Sequence, residues 1–206
     1  AGGLPRCASH SVYCTRCMPR GGAAAKLATM HVYRSALLRF ADDGSALYDE
    51  DGLLAVGPDA QGRQRVVAAG AWQALAPQYA SQSASHPVTH LPGRIIAPGF
   101  VDMHIHFPQT DVIGSPAPGL LPWLENYTFP HESRFHDRAY ADGVAEFFLD
   151  ELLRNGVTTA LTFATSHPAS VDAILTAAQQ RGMRMIAGKV LQDRHSPDGV
   201  RDDTEQ

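Results

Sequence analysis

The segment Phe100-Val101-Asp102-Met103-His104-Ile105-His106 carries two imidazoles two residues apart. On a β-strand alternate side chains share a face, so Asp102, His104 and His106 point one way and Val101, Met103, Ile105 and Phe107 the other. Two neutral imidazoles on one face can bind Zn2+ or Fe2+, although two ligands never complete a catalytic site. The wet face of an antiparallel edge strand would show the same alternation. The flanks favour the metal. Pro98-Gly99 sets a turn before the strand and Pro108 ends it, so both histidines fall near its carboxyl end, where α/β barrels hold their chemistry.

The elements that must position this pair follow a changing rhythm. From Phe100 onward the chain alternates strand, helix, strand, helix, strand. Asp137 can cap a helix reaching Asn155, with Tyr140, Val144, Phe147, Phe148 and Leu152 on its apolar face and Gly156 as its stop. Residues 157–163 are rich in β-branched types, as expected of a parallel strand buried on both faces. Pro168 suits the first turn of a second helix, whose buried stripe is Val171, Ile174, Leu175 and Ala178 and whose end is Gly182. Residues 183–190 give a third strand. Eight such units would close a (β/α)8 TIM barrel, and about three are present. Residues 30–97 read instead as short strands and turns: strands over 31–40, 52–57, 64–69, 88–91 and 94–97, a turn over 42–45, a brief helix over 71–80 and a polar loop over 82–86. His86 and His90 read as surface histidines.

The motifs then resemble a known family. P-G-F-V-D-M-H-I-H over 98–106 is similar to the first barrel strand of the amidohydrolase superfamily. F-P-Q-T-D over 107–111, W-L-E-N-Y-T-F-P over 123–130, N-G-V-T-T-A over 155–160, F-A-T-S-H-P over 163–168 and R-G-M-R-M-I-A-G-K-V over 181–190 resemble the guanine deaminases within it. The likeness covers about residues 30–206. It implies an α/β fold: an incomplete TIM barrel of the amidohydrolase type over 98–206, preceded over 30–97 by the amino-terminal part of a small β-sandwich domain. It also implies hydrolytic conversion of guanine to xanthine and ammonia by a metal-activated water, in a cytoplasmic enzyme that is a homodimer when whole. His104 and His106 match the first two ligands of one Zn2+ (or Fe2+), and Gln109 with His106 falls on the substrate side. The remaining ligands and the proton-shuttling carboxylate lie on later strands of the family, beyond Gln206. The chain is therefore expected to be an amino-terminal fragment that neither folds stably nor deaminates guanine alone.

Other residues weigh less. Asp102 reads as a structural group deeper on the strand. About thirty residues separate Phe107 from the next helix, and so long a loop tends to be functional. Trp123, Tyr127 and Phe129 could wall a flat heterocycle or simply pack the loop on the rim. Glu125 and Glu132 read as solvated acids, His131 and His136 as spacers, and His167 and Lys189 as decoys.

With 44% hydrophobic residues and 18% charged, the 206-residue chain can build a core and is not wholly disordered. A net charge of −4 disfavours a nucleic-acid surface, and no apolar run is long enough to span a membrane. Residues 1–29 differ: they hold all three cysteines (Cys7, Cys14, Cys17) and four basic residues without one acid. A zinc knuckle completed by His10, a transit-peptide tail, and upstream read-through before a natural start at Met30 all fit this composition. The third is preferred, because the likeness begins only after Met30, and the segment is expected to be a non-native or unstructured extension. Two rivals to the main reading stay open: a different mononuclear deaminase or chlorohydrolase, which the 123–130 motif opposes, and a truncated non-catalytic paralogue, which a stop codon directly after Gln206 would favour.

Overall fold

The computed structural model of the chain describes residues 12–14, 30–80 and 87–202. Its elements run β1 (Val12–Cys14), β2 (His31–Phe40), β3 (Ala46–Pro58), β4 (Gln64–Ala71), α1 (Trp72–Tyr79), β5 (Val88–Ile96), β6 (Phe100–His106), α2 (Leu120–Trp123), α3 (Phe129–Glu132), α4 (Arg138–Arg154), β7 (Val157–Phe163), α5 (Pro168–Arg181) and β8 (Arg184–Gly188). They form two compact units, one ending at Pro98 and one holding Gly99 onward together with β1.

The first unit is a four-stranded sheet in the order β4-β3-β2-β5, antiparallel except for the parallel β2–β5 pair. Among the described residues it is a single layer. Its core is small: Val32, Leu53 and Ala55, with Trp72, Leu75 and Tyr79 of α1 packed against them. β3 runs thirteen residues where hydropathy marks only 52–57. Its first half is held by backbone pairing to β2 and by the Arg39–Asp49 and Arg34–Asp51 ion pairs, so it carries no apolar alternation to read. The two strands expected over 88–97 are one, with a register shift and Gly93 at φ +69° between its halves. The 82–86 loop and His86 lie outside the described residues.

The second unit is a sheet in the order β1-β8-β7-β6, whose β6, β7 and β8 are parallel. Among the described residues it is an open sheet, a partial barrel. β1 joins antiparallel at the edge of β8, where an open sheet offers unpaired backbone groups. Residues 12–14 show no strand pattern of their own, and Cys7, His10 and Cys17 lie outside the described residues.

Helices α4 and α5 cover one face and bury Phe107, Phe135, Leu149, Ile174, Leu175 and Met185. Ordinary capping fixes their ends. The Asp137 side chain accepts the Ala139 amide at 2.8 Å, and Gly182, at φ +68°, closes α5 in the left-handed region that favours glycine. The stripe of α5 is buried as expected. On α4 the buried stripe is Ala141, Val144, Ala145, Phe148, Leu149 and Leu152, and Phe147 falls outside it at 58% exposed. β7 is not buried on both faces: Ala160 and Thr162 are covered and Thr158 and Phe163 are not, because the helices lie on one side only.

The long connection from β6 to α4 is folded, not an open loop. Residues 107–112 form a 3-10 turn, and 120–136 are a nearly continuous helical run with a π turn over 124–128. Pro108 and Pro130 sit at first-turn positions, where proline is preorganised for a helix. The run buries Thr128, Glu132 and Phe135, a helical spacing that hydropathy misses because two of the three are polar.

Candidate functional site

Strand β6 is placed by two irregularities that cancel. Phe100 pairs with Val157 and His106 with Phe163, the same offset, but in between the register shifts twice. The first shift places an extra residue, Thr158, on β7. There a side chain at Gly99 would put its Cβ 2.2 Å from Thr158 Oγ1, so the glycine of the P-G-F motif is demanded by close approach. The second shift places an extra residue on β6 between Asp102 and Ile105. Asp102 Oδ1 accepts the His104 amide at 3.0 Å, a local bond of the kind short acidic side chains make to backbone two residues on. Bulges are uncommon in parallel pairs, and where they occur they re-aim side chains beside active sites.

Through this bulge His104 and His106 still meet. Their ring centroids are 5.2 Å apart, edge to face. Phe163, the residue paired with His106, stacks on the His106 ring at 4.5 Å and 9° and lies 5.1 Å from that of His104. On the opposite side Ile105 and Phe107 enter the helix-covered core, as the alternation requires. Val101 and Met103 do not: they are 57% and 65% exposed, and Val101 pairs with Thr159, on the face opposite the buried Ala160 and Thr162.

The electrostatics favour neutral imidazole at His106, whose pKa is lowered by burial and then by the neighbouring His104. Neutral imidazole is the metal-binding form. Zn2+ about 2.1 Å from one nitrogen of each ring, at a near-tetrahedral angle, sets two ring centres about 5 Å apart. The observed spacing fits two ligands of one ion. Among the described residues no group of three or more His, Cys, Asp or Glu side chains could hold a metal.

Gln109 Nε2 lies 3.3 Å from His106 Nδ1, in the 3-10 turn that follows the strand. Glu132 is the correction to the sequence reading, which counted it a solvated acid. It is buried at 7% exposure, and burial pushes its carboxyl up to about 7 against a lowering effect of the Gln109 side chain. Two residues near the histidines were thus missed, Glu132 and Phe163. Phe163 had a signal, since parallel strands of equal length bring their carboxyl ends together. Glu132 had one only in its helical spacing from Phe135.

The remaining candidates stay apart from the pair. His131 and His136 each bond a carbonyl of their own turn through Nδ1, at Tyr127 O and Ser133 O. His167 Nε2 bonds Gly199 O at 3.0 Å. Lys189 is paired with Asp202 at 2.5 Å. Trp123, Tyr127 and Phe129 are half-buried, and Glu125 is exposed.

Comparison with known proteins agrees with this geometry. Residues 95–206 match the model of the amidohydrolase family. The guanine deaminase of Escherichia coli (strain K12) is 53% identical over 113 residues, which are 55% of this chain and 26% of that protein. A probable guanine deaminase of Deinococcus radiodurans is 35% identical over 170 residues, 80% of this chain and 38% of that protein. The crystal structure of guanine deaminase from Bradyrhizobium japonicum superposes with a TM-score of 0.76 at 34% identity, covering 86% of this chain and 38% of that one. The chain thus spans between a quarter and two fifths of the length of these relatives. With the family pattern running through the strand that carries both histidines and on through the helix-covered sheet, the chain belongs to the amidohydrolase family.

Proposed function

We propose that the intact protein is a guanine deaminase, converting guanine and water to xanthine and ammonia. In this reading His104 and His106 are two ligands of one Zn2+ per subunit, with Fe2+ as the alternative ion, and Gln109 contacts the purine beside His106. The observation that carries it is the imidazole pair, facing one way at the carboxyl end of β6 with rings 5.2 Å apart and a carboxamide 3.3 Å from the second. The similarity to guanine deaminases supports the choice of substrate. A divalent ion at such a site lowers the pKa of water toward about 7 and so supplies a nucleophile at neutral pH.

The chain's own residues have three tasks in this chemistry. The Asp102-latched bulge aims the two imidazoles. Phe163 covers one face of the His106 ring and limits water there. Gln109 offers both donor and acceptor to a ring edge. A homodimer and a cytoplasmic location belong to the same proposal. Among the described residues no helix is long and apolar enough to cross a membrane.

The test uses the protein expressed from its full natural reading frame. Metal analysis should return about one zinc or iron per subunit, guanine should be converted to xanthine with equimolar ammonia, and light scattering should give a dimer mass. Metal-loaded protein that leaves guanine untouched would sink the reading.

A further inference from the structure

The ring of Phe163 turns away from the core that its own strand helps to form. Thr162, just before it, is 2% exposed, while Phe163 lies on the opposite face of β7 and is 36% exposed. Its place beside the histidines is fixed by the backbone. Phe163 pairs in register with His106. Thr162 Oγ1 lies 3.1 Å from Ile105 O, the carbonyl between the two imidazoles, and farther, at 3.4 Å, from its other acceptor, Phe163 O. From that position the Phe163 ring lies parallel to the His106 ring, at 4.5 Å and 9°. The His104 ring, 5.1 Å away and tilted by 56°, is not stacked on it.

The last torsion of a histidine side chain is broad, so rotamer preference alone does not hold the plane of its ring. The lone pair of a ligating nitrogen lies in that plane, so turning the ring moves the line along which an ion can bind. Metal-bound imidazoles are usually oriented by a partner on the second ring nitrogen. At His106 the polar neighbour on Nδ1 is the Gln109 amide at 3.3 Å, longer than a good hydrogen bond. A parallel aromatic ring does what this contact does weakly. It covers one face of the imidazole and leaves the edge that carries both nitrogens free.

We infer that Phe163 is a positioning residue: stacked on His106, it fixes the plane of that imidazole and thereby the direction in which it offers its lone pair to the metal. The inference rests on reading His104 and His106 as metal ligands and deepens it. Phe163 touches neither metal nor substrate in this scheme and acts through His106.

The test measures the Zn2+ dissociation constant of the intact protein by chelator competition, for wild type, F163L and F163Y, together with the visible spectrum of each loaded with Co2+. F163L keeps an apolar side chain without a flat face and should bind zinc about tenfold more weakly, as when a partner of a metal ligand is lost. F163Y keeps the flat face and should stay within about twofold of wild type. The Co2+ bands report ligand geometry and should shift in F163L but not in F163Y. At zinc concentrations that saturate each variant, guanine KM should be unchanged. A packing role predicts instead a lower unfolding temperature of the metal-free F163L protein with unchanged zinc affinity. Unchanged affinity in F163L, equal losses in F163L and F163Y, or a raised guanine KM at full zinc affinity would each overturn the inference while the ligand reading stood. Should F163L not yield soluble protein, F163M, likewise without a flat ring, takes its place. A wild-type protein that binds no divalent metal would overturn both together.

Discussion

The connections that leave β6 and β7 start from equivalent places, the carboxyl ends of paired parallel strands, and are built on opposite plans. After β7 the chain needs only four residues to reach α5, and most polar groups there are matched. Ser170 Oγ accepts from the Thr165 amide at 3.0 Å and from its hydroxyl at 2.9 Å, and donates to His167 O at 2.7 Å, while the His167 amide donates to Thr165 Oγ1 at 3.1 Å. Ser166 Oγ is the exception. After β6 the chain takes a long helical detour and buries polar groups that are poorly matched: the Glu132 carboxyl is pushed up to about 7 by burial, and Thr128 Oγ1 has no partner. A tight turn with its hydrogen bonds closed serves stability. Buried groups with bonding capacity to spare are costly unless something else meets them, which is how a binding site is prepared.

The comparison breaks most sharply at the histidines. In the intact protein H104N or H106N should abolish metal retention and lower kcat/KM about a thousandfold, equal to several kcal/mol, as read by metal analysis and xanthine formation. The next effect separates the two connections by pH. Folding raises the Glu132 pKa from 4.5 to about 7, so its stabilising share is complete below about pH 4.5 and is lost as pH rises through about 7. Across that window wild type should lose on the order of 3 kcal/mol relative to E132Q in denaturant titrations. The slope should vanish in E132Q and persist in S170A. S170A itself strands the buried Thr165 hydroxyl and amide. A loss of about 1–3 kcal/mol is expected with guanine KM unchanged, and a KM shift would show that the short turn also serves the ligand. The smallest effect concerns the cap that ends the long connection: D137A should cost about 1 kcal/mol in thermal unfolding without altering KM.

How much of this was legible in the chain depends on who pairs with whom. The parallel strands and both long helices follow from β-branched runs, an Asp cap, a first-turn Pro and terminal glycines, all local signals. The histidine pair was readable because alternation holds from His104 to Phe107, whereas the extra residue before Ile105 breaks it at Asp102, which pairs with the buried Ala160 and so leaves the imidazoles' face. What stayed hidden needed partners distant in sequence. The first half of β3 is a strand because β2 and two arginines hold it there. Glu132 is buried because the helical run folds its polar face inward, toward a glutamine twenty-three positions earlier. The exposure of Val101, Met103 and Phe147 likewise depends on what covers a surface, which an apolar residue cannot announce.

The Asp102 bond to the His104 amide has a consequence for transplantation. A strand sliding by one residue along its neighbour would swap its two faces, sending the imidazoles toward the helices and Phe107 into the open. The carboxylate, by taking up the amide of the surplus residue, works as a detent against that slide. Grafting His-x-His alone onto another parallel strand would therefore import the metal-binding side chains without their aim. The portable unit is the cassette from Asp102 to Phe107, together with a neighbour that tolerates one extra residue against it.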